Sequence, residues 1–126
     1  MVSSYVLVEG LRAGARLDGI PLTLKAIERY PVEDAAPTQP PLWTTVEFTF
    51  AEEDAERVAE KLADVLDEDG GWYTDFTLND ETVVIFAHRV FRYRTGDTAA
   101  RAEVAAYGRA HGVPEHQLDW SESAIR

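Results

Sequence analysis

Apolar and polar residues alternate through much of the first half of the chain, with the two-residue period that is typical of strands. The alternation is clearest in residues 43–50, where Val46, Phe48 and Phe50 share one face and polar residues dominate the other. A dense group of prolines at residues 31–41 interrupts the pattern, and prolines cannot join a helix or a central strand. The first half is therefore predicted to contribute three strands, residues 5–9, 22–30 and 43–50.

Two segments change to the period of a helix. In residues 51–69 the apolar positions form one stripe, acids occupy the first turn, and Gly70 and Gly71 follow as the predicted end of the helix. A second helix is predicted to begin at Asp97, a good N-cap, and to end near His111, before Gly112.

Between the helices the two-residue period returns. Asn79 and Asp80 form a predicted two-residue turn, which places Phe76 opposite Val83. The apolar residues change phase at residues 87–89, so a bulge or bend is expected there. This region is predicted to hold a hairpin with an extended continuation, residues 72–78, 81–86 and 90–94.

The order of elements is β-β-β-α-β-β-α, which indicates an α+β fold. Residues 22–30 are expected to pair antiparallel with residues 43–50 across the proline loop. We therefore predict an antiparallel-rich sheet of circularly permuted ferredoxin-like topology, with both helices on one face; another α+β layering of the same elements is the alternative. Residues 1–126 are expected to form one domain, with a surface loop at 31–41 and a frayed tail after about residue 120.

Composition and charge narrow the classes of function. The chain has 126 residues and no cysteine, which excludes disulfides and thiolate chemistry. It carries 23 acidic against 12 basic residues, a formal net charge of −11, so neither nucleic acid nor an anionic membrane is an expected partner. No apolar run reaches the length of a membrane span, and the N-terminus lacks the basic start of a signal peptide. A cytoplasmic location is expected.

If both helices cover one face, the other face of the hairpin is apolar and open. It would carry Tyr73, Asp75, Phe86 and His88, which is more exposed apolar surface than monomers usually tolerate. A second subunit, a ligand or the N-terminal strands could cover this face, and a homodimer is the favoured prediction. The favoured function is a non-catalytic binding or interaction module that holds a small anionic or aromatic ligand on this face. The expected ligand-binding residues are Trp43, Tyr73, Phe86, His88, Arg89 and Arg92.

Two alternatives remain open. The first is a small cofactor-independent enzyme that uses Tyr73, Asp75 and His88 for acid–base chemistry, although along the paired strands Asp75 and His88 would lie about 13 Å apart. The second is an acidic protein that docks a basic partner through the first helix, where acids recur at every fourth position. The residues expected to make that contact are Glu52, Glu56, Glu60 and Asp64.

No metal site or cofactor is expected. The three histidines, His88, His111 and His116, match no standard metal-ligand spacing. The basic segment at residues 88–94 could bind a small anion, because arginine forks suit carboxylate and phosphate. The favoured explanation of this segment is a set of charges that neutralise the protein's own acids, and the anion site is the alternative.

Four segments of the second half carry a resemblance. They are GWYTDF at residues 71–76, VIF at 84–86, RVFRY at 89–93 and YGRAHGVP at 107–114. With these segments the chain resembles a family of short bacterial proteins, mainly of actinobacterial type, to which no activity is assigned. The resemblance implies a free-standing protein and gives no role to any residue.

Overall fold

The computed structural model describes residues 1–122, so the end of the predicted frayed tail, residues 123–126, lies outside the described residues. The described part is an α+β fold. Neither of its helices combines the length and the apolar character that crossing a bilayer requires. The elements in chain order are β1 (Val2–Leu7), β2 (Thr23–Pro31), β3 (Leu42–Phe50), α1 (Ala55–Val65), β4 (Thr74–Leu78), β5 (Glu81–Phe86), β6 (Arg89–Arg94) and α2 (Thr98–Ala110).

The strands form two antiparallel three-stranded sheets, in the orders β1-β3-β2 and β4-β5-β6. The predicted pairing of β2 with β3 across the proline loop is confirmed. The predicted register of the β4–β5 hairpin, with Phe76 opposite Val83, is also confirmed. The expected bend at residues 87–89 is a tight turn: Phe86 pairs with Arg89, and His88 takes the left-handed conformation with a φ of 62°. The chain therefore reverses there and adds β6 as a third strand.

The two sheets meet where β1 lies beside β4. The hydroxyl of Ser4 donates a hydrogen bond to the backbone oxygen of Asp75 at 2.9 Å, and the hydroxyl of Thr74 donates to the backbone oxygen of Tyr5. These two pairs run in opposite directions along the chain, so the strands are antiparallel at this seam. Side-chain hydroxyls join the two strands here, and both side chains are buried.

The two helices pack on opposite faces, so the expectation of two helices on one face is wrong. The core beneath α1 contains Phe76, Val83 and Ile85, whereas Val84 and Phe86 lie in a second core with Val104 of α2. The physical reason is the composition of β5, which is apolar on both sides and needs cover on both. The circularly permuted ferredoxin-like topology is not confirmed, because β5 pairs with β4 and β6 while β3 pairs with β1 and β2.

Helix α1 is shorter than the predicted helix 51–69. The segment before it, Glu52–Asp54, is a 3-10 turn, and after Val65 the chain becomes extended at Leu66. Leu66 forms a bridge with Leu11, and the amide of Arg12 donates to the oxygen of Val65 at 2.9 Å. The strand-like segment after β1 thus ends the helix at Val65, five residues before Gly70, and the glycine pair is not its cap.

Helix α2 follows its prediction closely. The Asp97 side chain accepts a hydrogen bond from the amide of Ala100 at 3.0 Å, which confirms the N-cap. At the other end Gly112 has a φ of +90°, and the amide of Val113 donates to the oxygen of Gly108 at 3.0 Å, the bond of a Schellman ending. The segment that follows docks as expected, because Trp120 is buried and its indole donates to the Tyr93 hydroxyl at 2.8 Å.

Gly71 provides a test of the contact between the β4 entry and the end of α2. It has a φ of +73°, and a Cβ added there would lie 2.7 Å from the carbonyl carbon of Gly112. Gly71→Ala should lower the free energy of unfolding by about 3 kcal/mol or more, from left-handed strain plus overpacking. Gly96→Ala is the matched control, since Gly96 has a φ of +93° and open space around it.

Chemical denaturation of the two variants measures the difference. Gly96→Ala should cost only the strain, about 1–2 kcal/mol. Equal losses in the two variants would show that the close approach of Gly71 to Gly112 carries no extra energy.

Candidate functional site

A groove opens on the face of the β1-β3-β2 sheet that points away from α1. Its volume is about 290 Å³. Residues of the sheet form its floor, and the proline loop and the segment after α2 form its walls. The lining residues are Tyr5, Leu7, Tyr30, Val32, Asp34, Trp43, Tyr73, His116, Gln117 and Asp119. We call this site the aromatic groove.

Strand alternation brings four rings into the aromatic groove. Tyr30 of β2 lies directly opposite Trp43 of β3, so both side chains point to the same face of the sheet. Tyr5 of β1 points to that face too, because its neighbours Ser4 and Val6 are buried towards α1. Tyr73 comes from the other sheet, directly before β4. The floor of the groove therefore spans the seam between the sheets.

Two contacts fasten the proline loop to the segment after α2. The side-chain amides of Gln39 and Gln117 donate to each other, at 3.1 and 2.9 Å, and Gln39 also donates to the backbone oxygen of Gly70 at 2.9 Å. Nε2 of His116 lies 2.9 Å from the backbone oxygen of Asp34 and 3.4 Å from its carboxylate. These contacts hold the two walls of the groove together.

The polar edges of the four rings have partners inside the protein. The hydroxyl of Tyr5 donates to the Asp75 carboxylate at 3.2 Å, and that of Tyr73 donates to the backbone oxygen of Gln117. The Trp43 indole donates to the oxygen of Pro40 at 2.9 Å. The hydroxyl of Tyr30 lies 2.7 Å from that of Thr45. The groove is therefore lined by aromatic rings whose polar groups are already paired, together with hydrogen-bond acceptors.

The electrostatic character of the groove is negative. Burial raises the pKa of Tyr5 and of Tyr73, and the charges of Asp75 and Asp119 raise both further. Both phenols therefore stay neutral at physiological pH. Asp34 and Asp119 are exposed at the rim, and no lysine or arginine belongs to the lining among residues 1–122.

The structure does not bring the three candidate catalytic residues together. Tyr73 lines the groove, and Asp75 is buried beneath it, where it accepts the hydrogen bond of Tyr5. His88 is exposed at the β5–β6 turn, where its backbone amide donates to the oxygen of Ala63 in α1 at 2.9 Å. β5 ends at Phe86, and the chain reverses through a turn that contains His88. His88 therefore does not continue the strand and lies away from Tyr73 and Asp75.

Of the expected ligand-binding residues, Trp43 and Tyr73 line the groove and the other four do not. Phe86 is 3% exposed in the core beneath α2. The guanidinium of Arg89 lies 4.5 Å from the ring centre of Phe91, on the α2 side. Arg92 points to the α1 side and pairs with Glu81 at 2.9 Å. The interpretation of these arginines as partners of the protein's own acids is confirmed for Arg92 alone.

The acidic row of α1 is exposed, as the pattern predicted. Asp64 lies 3.7 Å from the guanidinium of Arg12, whereas Glu52, Glu56 and Glu60 form no ion pair with other residues of the described chain. Glu56 and Glu60 border a recess of about 200 Å³ between α1 and β6, which is lined mainly by apolar side chains. Within residues 1–122 no three potential metal ligands cluster.

Sequence reasoning missed most of the groove. Tyr5 and Tyr30 stand at alternating positions of predicted strands, so assigning faces along those two strands would have found them. Asp34 and His116 lie in a loop and a 3-10 turn, and only the docking of these segments on each other places them at one site. The lining residues missed were Tyr5, Leu7, Tyr30, Val32, Asp34, His116, Gln117 and Asp119.

Comparison with family models, with curated proteins and with solved structures finds no match to this chain. The resemblance to a family of short bacterial proteins therefore stays a prediction. The groove has to be interpreted from its own geometry and chemistry.

The buried phenols predict how stability depends on pH. A tyrosine whose pKa is raised by folding adds stability that is complete below its unfolded pKa, 10.0, and is lost as pH rises above it. The free energy of unfolding should therefore fall above about pH 10. Tyr5→Phe should reduce this fall, and denaturant unfolding at neutral and alkaline pH measures it. An identical alkaline fall in Tyr5→Phe would contradict the assignment.

Proposed function

We propose that this protein is a non-catalytic binding module that holds a small molecule in the aromatic groove. The observation that carries the proposal is a groove lined by four aromatic side chains, whose polar edges already have partners. Its volume of about 290 Å³ lies just below the usual range for small-molecule sites, about 300–1,000 Å³, so a small ligand fits it best. Rings held by internal hydrogen bonds lose little freedom when a ligand binds.

The enzyme alternative has less support. Acid–base catalysis needs a proton donor and acceptor within reach of one substrate, and His88 lies at the β5–β6 turn, beside α1. Asp75 is 5% exposed, and its carboxylate accepts the hydrogen bond of the Tyr5 hydroxyl. These two placements favour binding over catalysis.

The homodimer stays a prediction, but the surface that would form it is a different one. The face expected to be open, with Phe86, is covered by α2, so the original reason for a partner is removed. Large exposed apolar side chains lie instead on the edge strand β2, where Leu24 and Ile27 are 60% and 61% exposed. Self-association would use this edge. Docking of a basic partner on the acids of α1 and a cytoplasmic location also remain predictions.

Amide chemical shifts can test the proposed function with three probes that share a phenylethyl group and are positively charged, neutral and negatively charged. Phenethylamine, phenethyl alcohol and phenylpropionate are each titrated into the full chain. At least one should shift the amides of the groove, such as those of Val32 and Gln117, more than those of the recess beside Glu56. Binding of a small ligand to an open groove predicts a dissociation constant of about 1 mM or lower.

A pair of variants locates the site. Val32→Trp places a large ring inside the groove and should abolish the shifts. Leu24→Trp adds the same ring on the opposite face of the sheet, where Leu24 is exposed, and should leave them unchanged. If none of the three probes shifts the groove amides, or if Val32→Trp binds as the parent does, the proposed function is wrong.

A further inference from the structure

The donor groups of the aromatic groove are already in use. The hydroxyls of Tyr5 and Tyr73 and the indole of Trp43 all donate to oxygen atoms of the protein itself. The lining is therefore left with acceptor oxygens and the apolar parts of the rings. A ligand that only accepts hydrogen bonds would find few donors here, whereas a ligand that donates them would find several acceptors.

The charged groups at the rim favour the same kind of ligand. Asp34 and Asp119 carry their carboxylates at the mouth of the groove, and Asp119 contributes to the raised pKa of both Tyr5 and Tyr73, so its charge reaches the floor. Among residues 1–122, His116 is the only basic side chain in the lining, and its ring contacts Asp34. An anion would meet these carboxylates at close range. The lining holds no lysine or arginine among residues 1–122, and Arg101, whose charge also reaches Tyr73, is paired with Glu122.

The ring faces complete the pattern. The face of an aromatic ring carries partial negative charge, and it attracts ammonium and guanidinium groups, with tryptophan and tyrosine the strongest. Trp43, Tyr30, Tyr5 and Tyr73 line one groove, and aromatic side chains of these types also form the cages of ammonium-binding sites. Two of these rings have further aromatic neighbours, since Trp43 packs against Trp72 and Tyr73 against Phe86. The net charge of −11 also raises the local concentration of cations around the molecule.

We infer that the ligand of the aromatic groove is a small organic cation, of the alkylammonium class. This inference rests on the proposed function, because it names the ligand class of the same site. It also replaces the anionic ligand that the sequence predicted: the arginines expected to hold an anion, Arg89 and Arg92, lie on opposite sides of β6 and outside the groove.

Choline and its uncharged carbon isostere, dimethylbutanol, test the inference, since they share a shape and differ in charge. Each is titrated into the full chain at low ionic strength, and the groove amides are followed by NMR. Choline should bind about tenfold more tightly than the isostere. Added salt should weaken choline binding and leave the isostere unaffected.

Matched variants test the charge at the rim. Asp119→Asn removes one carboxylate from the groove and should weaken choline binding about two- to fivefold. Asp80→Asn makes the same change in net charge at the exposed β4–β5 turn and should leave the affinity unaltered. Tyr30→Leu should weaken choline binding and Tyr30→Phe should largely preserve it, because the phenylalanine keeps a ring face.

The outcomes separate this inference from the proposed function. The cation inference is wrong if choline and the isostere bind equally well, or if phenylpropionate binds in the groove more tightly than phenethylamine. Neither result contradicts the proposed binding module. Equal effects of Asp119→Asn and Asp80→Asn also overturn the cation inference, since binding would then reflect the net charge. If no probe, charged or neutral, shifts the groove amides, both the cation inference and the proposed function are wrong.

Discussion

Ser4 and Thr74 join the two sheets through their hydroxyls, each of which donates to a backbone oxygen on the opposite strand. Because both side chains are buried, loss of either hydroxyl would leave a carbonyl without its partner, away from water. The same contact sets Tyr5 beside Asp75 and brings Tyr73 to the edge of the first sheet. The floor of the groove therefore exists only while this seam holds.

The arrangement of the helices explains why a groove remains. Strand β5 is buried on both faces, so α1 and α2 are drawn to opposite sides of the β4-β5-β6 sheet. Helix α2 reaches the side on which the groove lies, but over the second sheet only. The first sheet is covered there by the proline loop and the segment after α2, which meet through Gln39 and Gln117. The proline loop and the segment after α2 leave open the space over this sheet that a packed helix would fill.

Internal hydrogen bonds determine the chemistry that the groove offers. Tyr5, Trp43 and Tyr73 each donate a hydrogen bond to an oxygen of the protein, which removes these three donors from use. Acceptor oxygens, carboxylates and aromatic rings remain at the groove. The basic segment at residues 88–94 adds no positive charge to the groove, because alternation along β6 places Arg89 and Arg92 on opposite sides of the strand. Arg89 lies on the Phe91 ring, and Arg92 pairs with Glu81.

The sequence by itself determined the local features: the strand pattern, the β4–β5 register, the Asp97 cap and the Gly112 ending, since period and capping depend on neighbours in the chain. Tertiary structure decided the end of α1, where Leu11 pairs with Leu66, and the side on which α2 packs. It also decided the site. Trp43 and Tyr73 could be named from their strands, but Asp34 and His116 meet across 82 positions of the chain, and only long-range docking specifies such a contact.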